Sequence, residues 1–137
     1  MTGRGTFEQF RRYQASHVHV FDFLDPMGDA YAVSDLVVSR AGMITVAELC
    51  AWGLPNILIP LPTAAADHQT HNARVLAEAG ASLLLRQSEL TPARLGTTIS
   101  NLLDDSSRRR QMADRALSRG RPNSARDIVY KLLTLIA

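Results

Sequence analysis

Polar side chains suited to ligand binding cluster where a proline-flanked apolar run leads into a helix. His68, Gln69 and Asn72 follow Asp67, which we predict to be the N-cap of that helix. Positions 68 and 72 share a helical face, and the first helical turn offers N–H donors without partners. The spacing leaves two interpretations open, a ligand-binding edge or a solvated helix start. Asp67, His68 and His71 also suggest a metal, but no clear further ligand is present, so we predict no metal site.

A second loop of this kind runs from Ser39 to Glu48, out of an apolar run and into a helix. Gly42 lets a ligand approach the backbone closely, and the N–H groups of a helix start suit phosphate or sugar oxygens. The Glu48 carboxylate can accept two hydrogen bonds from a vicinal diol. The alternative is structural, because Thr45 and Glu48 fit a T-x-x-E capping box in which Glu48 only caps its own helix. Spacing alone leaves both interpretations open.

Short aliphatic runs alternate with segments of helical period over residues 1–86. The runs read as buried parallel strands at 17–21, 36–38, 56–60 and 82–85, and the helices are predicted at 7–13, 27–33, 45–52 and 67–79. This alternation predicts an α/β fold with about four parallel strands and flanking helices. Ligands of open α/β sheets bind at the carboxyl ends of strands, so we expect both polar loops at one edge.

The alternation stops after Leu85, and residues 87–137 are predicted as a helical tail. Its helices begin at Thr91, at Ser106 and near Pro122. The last helix is predicted to face inward with Ile128, Val129, Leu132, Leu133 and Ile136. Arginines crowd the last two helices at positions 108, 109, 110, 115, 119, 121 and 126. They fit either a solvated face or contact with an anionic membrane surface or partner.

Composition restricts the class of protein. The 137 residues are 46% hydrophobic and 20% charged, which is typical of one folded globular domain, and we treat residues 1–137 as a single unit. A net charge of +2 is too small to indicate nucleic-acid binding. The single cysteine, Cys50, favours a reducing compartment. No apolar run suggests a membrane span or a signal peptide, so we expect a cytoplasmic protein.

Four blocks of sequence together resemble one family of enzymes. They are Ser34–Gly42, Thr45–Leu49, Gly53–Pro55, and Asp67–Gln69 with Asn72–Ala73. In this order and spacing they closely resemble the MurG family of GT-B glycosyltransferases. That family moves N-acetylglucosamine from UDP-N-acetylglucosamine onto lipid I, forming lipid II in peptidoglycan synthesis. The resemblance extends to residues 2–5, to residues 23–27 and into the terminal helices, so it covers essentially the whole chain and implies a partial Rossmann-like domain.

The resemblance assigns four residues to the UDP part of the donor. It implies that Glu48 binds the ribose hydroxyls and that Met43 offers its backbone N–H to the donor. Thr45 is expected near the diphosphate. Leu24 is expected to meet the uracil edge through backbone groups, since N–H and C=O groups alone can recognise a nucleobase. These expectations favour the functional interpretation of Glu48 over the capping box.

Three further residues are assigned to the sugar. The resemblance implies that His68 and Gln69 contact hydroxyls of the N-acetylglucosamine ring, although some relatives carry an amide where this chain has the His68 imidazole. Asn72 fits the pattern as a ligand contact or as a brace for the loop. The resemblance implies no metal and no cofactor, and it places no catalytic residue in this chain.

The same resemblance implies that much of the enzyme is missing. The chain matches only the later part of the C-terminal domain, with run 17–21 as its third strand and run 36–38 as its fourth. It lacks the Gly-rich phosphate turn and the N-terminal domain with the acceptor site and general base. We therefore expect a UDP-N-acetylglucosamine-binding portion that is inactive alone, self-associates, and meets the lipid-linked acceptor only in the complete enzyme. The alternatives are a split-transferase subunit completed by a partner chain, and a non-catalytic interaction module. A position at the inner face of the plasma membrane is a further expectation.

Overall fold

A computed structural model describes residues 1–136 in two compact units, which divide after Ser34. The first unit contains α1 (Phe7–Arg11) and α2 (Met27–Ala32). Helix α2 starts as predicted, with Pro26 at its N-cap position in extended conformation. Helix α1 stops two residues before the predicted end at residue 13.

The run 17–21, predicted as the first strand, is not a strand in the structure. Its backbone groups bond within the first unit and not to the sheet. The Val20 N–H donates to Gln14 Oε1 (2.7 Å), and the Phe21 carbonyl accepts from the Thr2 N–H (2.8 Å). Most of the run is exposed to solvent. An apolar run becomes a sheet strand only where a neighbouring strand pairs with it and buries it, and this run has no such neighbour among the described residues.

The second unit contains a parallel sheet of three strands in the order β1-β2-β3. The strands are β1 (Val37–Ser39), β2 (Asn56–Leu58) and β3 (Leu83–Leu84). Ile57 pairs with Val38 on one side and Leu83 on the other. The three later predicted runs are thus confirmed as parallel strands, while the predicted total of about four is wrong. Strand β2 is buried along its whole length, as expected for the centre of a parallel sheet.

Helices follow each strand. They are α3 (Met43–Trp52), α4 (His68–Glu78), α5 (Pro92–Asp104), α6 (Ser106–Leu117) and α7 (Ser124–Ile136). Thr91 caps α5 as predicted, and its Oγ1 accepts from the Arg94 N–H at 3.1 Å. Helix α3 ends as predicted at Gly53, which adopts a left-handed conformation with φ of 63°. A Cβ at Gly53 would overlap the Leu117 side chain of α6, so close packing also favours glycine there.

Part of the core of this unit lies between the sheet and helices α5 and α6, and another part is formed by buried side chains of α3 and α4. One buried cluster joins Ile57, Ile59, Leu85, Leu102 and Met112. Met112 also accepts a hydrogen bond through Sδ from the Asn56 N–H at 3.3 Å, which ties α6 to the start of β2. The second and third helices of the predicted tail are therefore distinct in role. Helix α6 is part of the core, whereas α7 is exposed.

Helix α7 does not face inward as predicted. None of its side chains is buried, and Ile128, Leu132 and Ile136 are 58%, 56% and 81% exposed. The apolar periodicity is real, but no described element covers it. None of the helices described in residues 1–136 is long and apolar enough to cross a membrane.

Candidate functional site

The two polar loops meet at the carboxyl edge of the sheet, as predicted. Arg40 extends from the loop after β1 to the loop after β2, where its Nη1 donates to the carbonyls of Ile59 and Pro60, each at 3.1 Å. The Ile59 N–H in turn donates to the Ser39 carbonyl at 2.8 Å. Arg40 holds the edge together and was missed in the sequence, although a basic residue directly after a strand was the available signal.

Helix α3 begins earlier than predicted, and this leaves backbone donors at the edge. Its N-cap is Gly42, and the first intrahelical bond runs from the Val46 N–H to the Gly42 carbonyl at 2.9 Å. The N–H groups of Met43, Ile44 and Thr45 precede that bond, and glycine has no side chain with which to cap them. Such a helix start suits a phosphate or a sugar oxygen.

The capping-box interpretation of Glu48 is wrong. A capping box requires Thr45 at the N-cap, three residues before the glutamate, whereas Thr45 is the third residue inside α3. Glu48 is therefore the sixth helical residue, beyond reach of an N-cap role. Its side chain is half-buried. As a carboxylate it offers acceptors only, which is the property that a diol requires.

Asn72 joins α4 to the loop before α3. Its Nδ2 donates to the Ala41 carbonyl at 3.0 Å, one residue before the Gly42 N-cap. The predicted role of Asn72 as a brace is thus observed, while contact with a ligand stays a prediction. This hydrogen bond and the Arg40 bonds fix the start of α3 relative to the start of α4.

The two predicted sugar contacts, Gln69 and His68, each use one polar atom in a hydrogen bond within the protein. Gln69 Oε1 accepts from the Leu61 N–H at 3.0 Å, which orients its NH₂ group as the remaining donor. His68 Nδ1 lies 2.7 Å from the Ala65 carbonyl. Because a carbonyl only accepts, we assign the proton to Nδ1, and this leaves Nε2 as the ring atom for a ligand.

Asp67 occupies the N-cap of α4, but it does not cap the helix with its side chain. Its φ is 53°, in the left-handed region, and no side-chain capping bond forms. Ala66, with φ of 49°, shares this conformation. The chain therefore turns sharply from a short 3₁₀ segment, Ala65–Asp67, into α4. The predicted capping role of Asp67 is wrong for that reason.

Leu24 lies in the first unit, between the 17–21 run and α2, and its role toward uracil stays a prediction. Within residues 1–136, no three His, Cys, Asp or Glu side chains are grouped to hold a metal ion. Burial raises the pKa of the Cys50 thiol, and the nearby Arg119 guanidinium lowers it by less. Cys50 is thus a core side chain in the neutral form.

The fold and this edge define an open parallel α/β domain with two polar loops at its carboxyl edge. The sequence matches the family described as glycosyltransferase family 28 C-terminal domain over residues 1–130. This chain belongs to that family. The crystal structure of Acinetobacter baumannii MurG superposes with a TM-score of 0.84 at 31% identity, over 96% of this chain and 39% of that one. The predicted GT-B fold class with a helical C-terminus is confirmed.

Curated relatives share a single name. Proteins from Salinibacter ruber and Nitratidesulfovibrio vulgaris are named UDP-N-acetylglucosamine–N-acetylmuramyl-(pentapeptide) pyrophosphoryl-undecaprenol N-acetylglucosamine transferase. The first is 45% identical over 86% of this chain and the second 40% identical over 98%. The chain spans only 32% and 38% of their lengths. The similarity is therefore to about a third of a transferase.

Proposed function

We propose that this chain is the UDP-N-acetylglucosamine-binding portion of a glycosyltransferase that adds N-acetylglucosamine to lipid I. One observation carries the proposal, namely that the Arg40 and Asn72 hydrogen bonds join two polar loops at the carboxyl edge of the sheet. The family membership and the names of its relatives support the same donor.

The proposed donor lies across this edge with its charged part at α3. The N–H groups of Met43, Ile44 and Thr45 favour a diphosphate, because a helix N-terminus carries donors and partial positive charge. Glu48, one turn further along, accepts from the ribose hydroxyls. The family resemblance assigns the uracil to backbone groups of Leu24, and the comparison of UDP with CDP tests that assignment.

The sugar is proposed to contact the start of α4. Gln69 donates from its NH₂ group, and His68 accepts at Nε2 from a sugar hydroxyl. Asn72 holds the loop before α3 in position through its Nδ2, and its contact with the donor is proposed as well. All of these residues are proposed to bind and orient the donor. The group that activates the acceptor hydroxyl is proposed to lie outside this chain.

Binding of UDP without turnover is the test of this proposal. We expect saturable UDP binding by isothermal titration and only background transfer from UDP-N-acetylglucosamine to a lipid I analogue, because the general base is proposed to lie outside this chain. CDP is the matched control ligand, since it differs only in the base. Equal affinity for UDP and CDP would contradict the assigned uracil contact, and absence of UDP binding by the folded chain would overturn the proposal.

The exposed face of α7 supports the proposal that another surface completes the protein. That surface is proposed to belong to the missing N-terminal half or to a partner chain that supplies it. A contiguous apolar helical face in water favours association. In the isolated chain we expect a second copy to cover it. The lipid-linked acceptor places the complete enzyme, by proposal, in the cytoplasm at the inner face of the plasma membrane.

Self-association through α7 is a separate prediction. Sedimentation velocity of the isolated chain is expected to show dimers or larger species. The double substitution Ile128→Glu and Leu132→Glu should make the chain monomeric. The two side chains lie one turn apart on the exposed face of α7, so the change places two charges in the proposed contact. Val33→Glu is the control, since Val33 is 84% exposed but lies outside α7. A monomeric parent chain, or equal dissociation by Val33→Glu, would contradict this use of α7.

A further inference from the structure

A cleft of about 200 Å³ lies at the edge of the sheet opposite the proposed donor site. One wall is the turn that enters β3, with Gly80 and Ser82, and the other is a face of α6. Leu83 and Met112 give it an apolar part. The cleft adjoins the beginning of β3, whereas the donor loops follow the ends of strands. It is therefore a separate site.

The polar lining of the cleft is positively charged. Arg108, Gln111 and Arg115 line it from α6, where their spacing of three and four residues places them on one helical face. No aspartate or glutamate is among the lining residues. Among the described residues, no acidic side chain forms an ion pair with the guanidinium group of Arg108 or Arg115. Their charge is thus left for a ligand.

Glycine at position 80 allows Arg115 to take its place in the cleft. A Cβ at Gly80 would overlap the Arg115 guanidinium, so that group packs directly on the bare backbone. The Met112 side chain is buried and fixes α6 in register against the sheet. Met112 lies between Arg108 and Arg115 in the sequence. Its burial therefore orients the helical face that carries the two arginines.

We propose that this cleft binds a phosphate group through Arg108 and Arg115. Sites for drug-sized ligands occupy roughly 300–1,000 Å³, so this smaller volume suits a single phosphate group. Guanidinium groups match phosphate oxygens through paired, charge-assisted hydrogen bonds. The Gln111 amide supplies a neutral donor between them. The phosphate comes either from a free ion or ester in solution or from a phospholipid headgroup.

Titration with inorganic phosphate, followed by NMR of the ¹⁵N-labelled chain, tests the proposal. We expect saturable shifts at the Ser82 and Gln111 amides. The Arg108→Gln, Arg115→Gln double variant should bind phosphate at least about tenfold more weakly at this site, since two charge-assisted bonds are lost. The control is Arg110→Gln, Arg121→Gln, which removes equal charge from residues that do not line the cleft. Circular dichroism confirms that all variants fold, as expected for exposed side chains.

Vesicle sedimentation distinguishes the two sources of phosphate. If the ligand is a headgroup, binding to phosphatidylglycerol vesicles falls in the cleft variant and not in the control, and phosphatidylcholine vesicles bind neither. If the ligand is a free phosphate, only the NMR titration separates the two variants. The proposal is overturned if cleft and control variants behave alike in both measurements. Phosphate bound at the start of α3 is common to all variants and does not affect the comparison.

Discussion

Glu48→Gln is expected to weaken UDP binding by roughly tenfold or more, with little change in the melting temperature. A carboxylate accepts charge-assisted hydrogen bonds from both ribose hydroxyls, whereas an amide accepts at only one of its two atoms. The loss corresponds to about 1–3 kcal/mol of binding free energy. Isothermal titration with UDP measures it directly. The position of Glu48 as the sixth residue of α3 means that no capping bond is lost in the exchange.

The matched control for this substitution is Glu78→Gln, which makes the same chemical change at the exposed far end of α4. Its UDP affinity should equal that of the parent chain. Equal affinities for the parent chain and Glu48→Gln would remove Glu48 from the proposed site. A large fall in the melting temperature of Glu48→Gln would instead assign this residue to stability.

Leu102→Ala is expected to lower the free energy of unfolding by about 2–5 kcal/mol. Leu102 is completely buried in the cluster that joins β2, α5 and α6, so the truncation leaves a cavity as well as removing apolar contacts. A loss of this size is a large part of the stability of an ordinary domain. Urea unfolding followed by circular dichroism, at matched protein concentration, gives the value.

The neighbouring residue supplies the control. Leu103 also lies in α5 but is 46% exposed, so Leu103→Ala removes fewer buried contacts and leaves no closed cavity. We expect it to cost clearly less than Leu102→Ala. Similar losses for the two variants would show that the α5 interface is different from the one described.

The parallel part of the fold could be predicted from the sequence because burial and local signals agree there. The run 56–60 has three consecutive aliphatic residues, Ile57–Ile59, and its first three residues form the central strand β2. Helix α3 ends at Gly53, as the glycine and the following Pro55 indicate. The run 17–21 also carries β-branched and apolar residues, but two of its five residues are histidines and it lacks a partner strand in the sheet. Helix α7 has a clear apolar face, yet periodicity shows only which side chains share a face and not what covers it.

The site was predictable to a similar degree. Parallel strands bring their carboxyl ends to one edge, so the meeting of the two polar loops follows from the alternation of elements. The exact start of α3 does not follow, because Thr45 is a good N-cap residue and Gly42 is a weaker signal. The hydrogen bonds of Arg40 and Asn72 to backbone carbonyls depend on three-dimensional proximity between segments distant in sequence.

The shortness of the outer strands has a consequence for aggregation. Strands β1 and β3, at the two margins of the sheet, have only three and two residues. An incoming chain could form few main-chain hydrogen bonds with such margins, and short edge strands are one way that proteins resist strand addition. Amyloid-like growth on this sheet is therefore disfavoured. Misassembled material from this chain is expected to retain a helical circular dichroism spectrum. It is expected not to increase the fluorescence of thioflavin T.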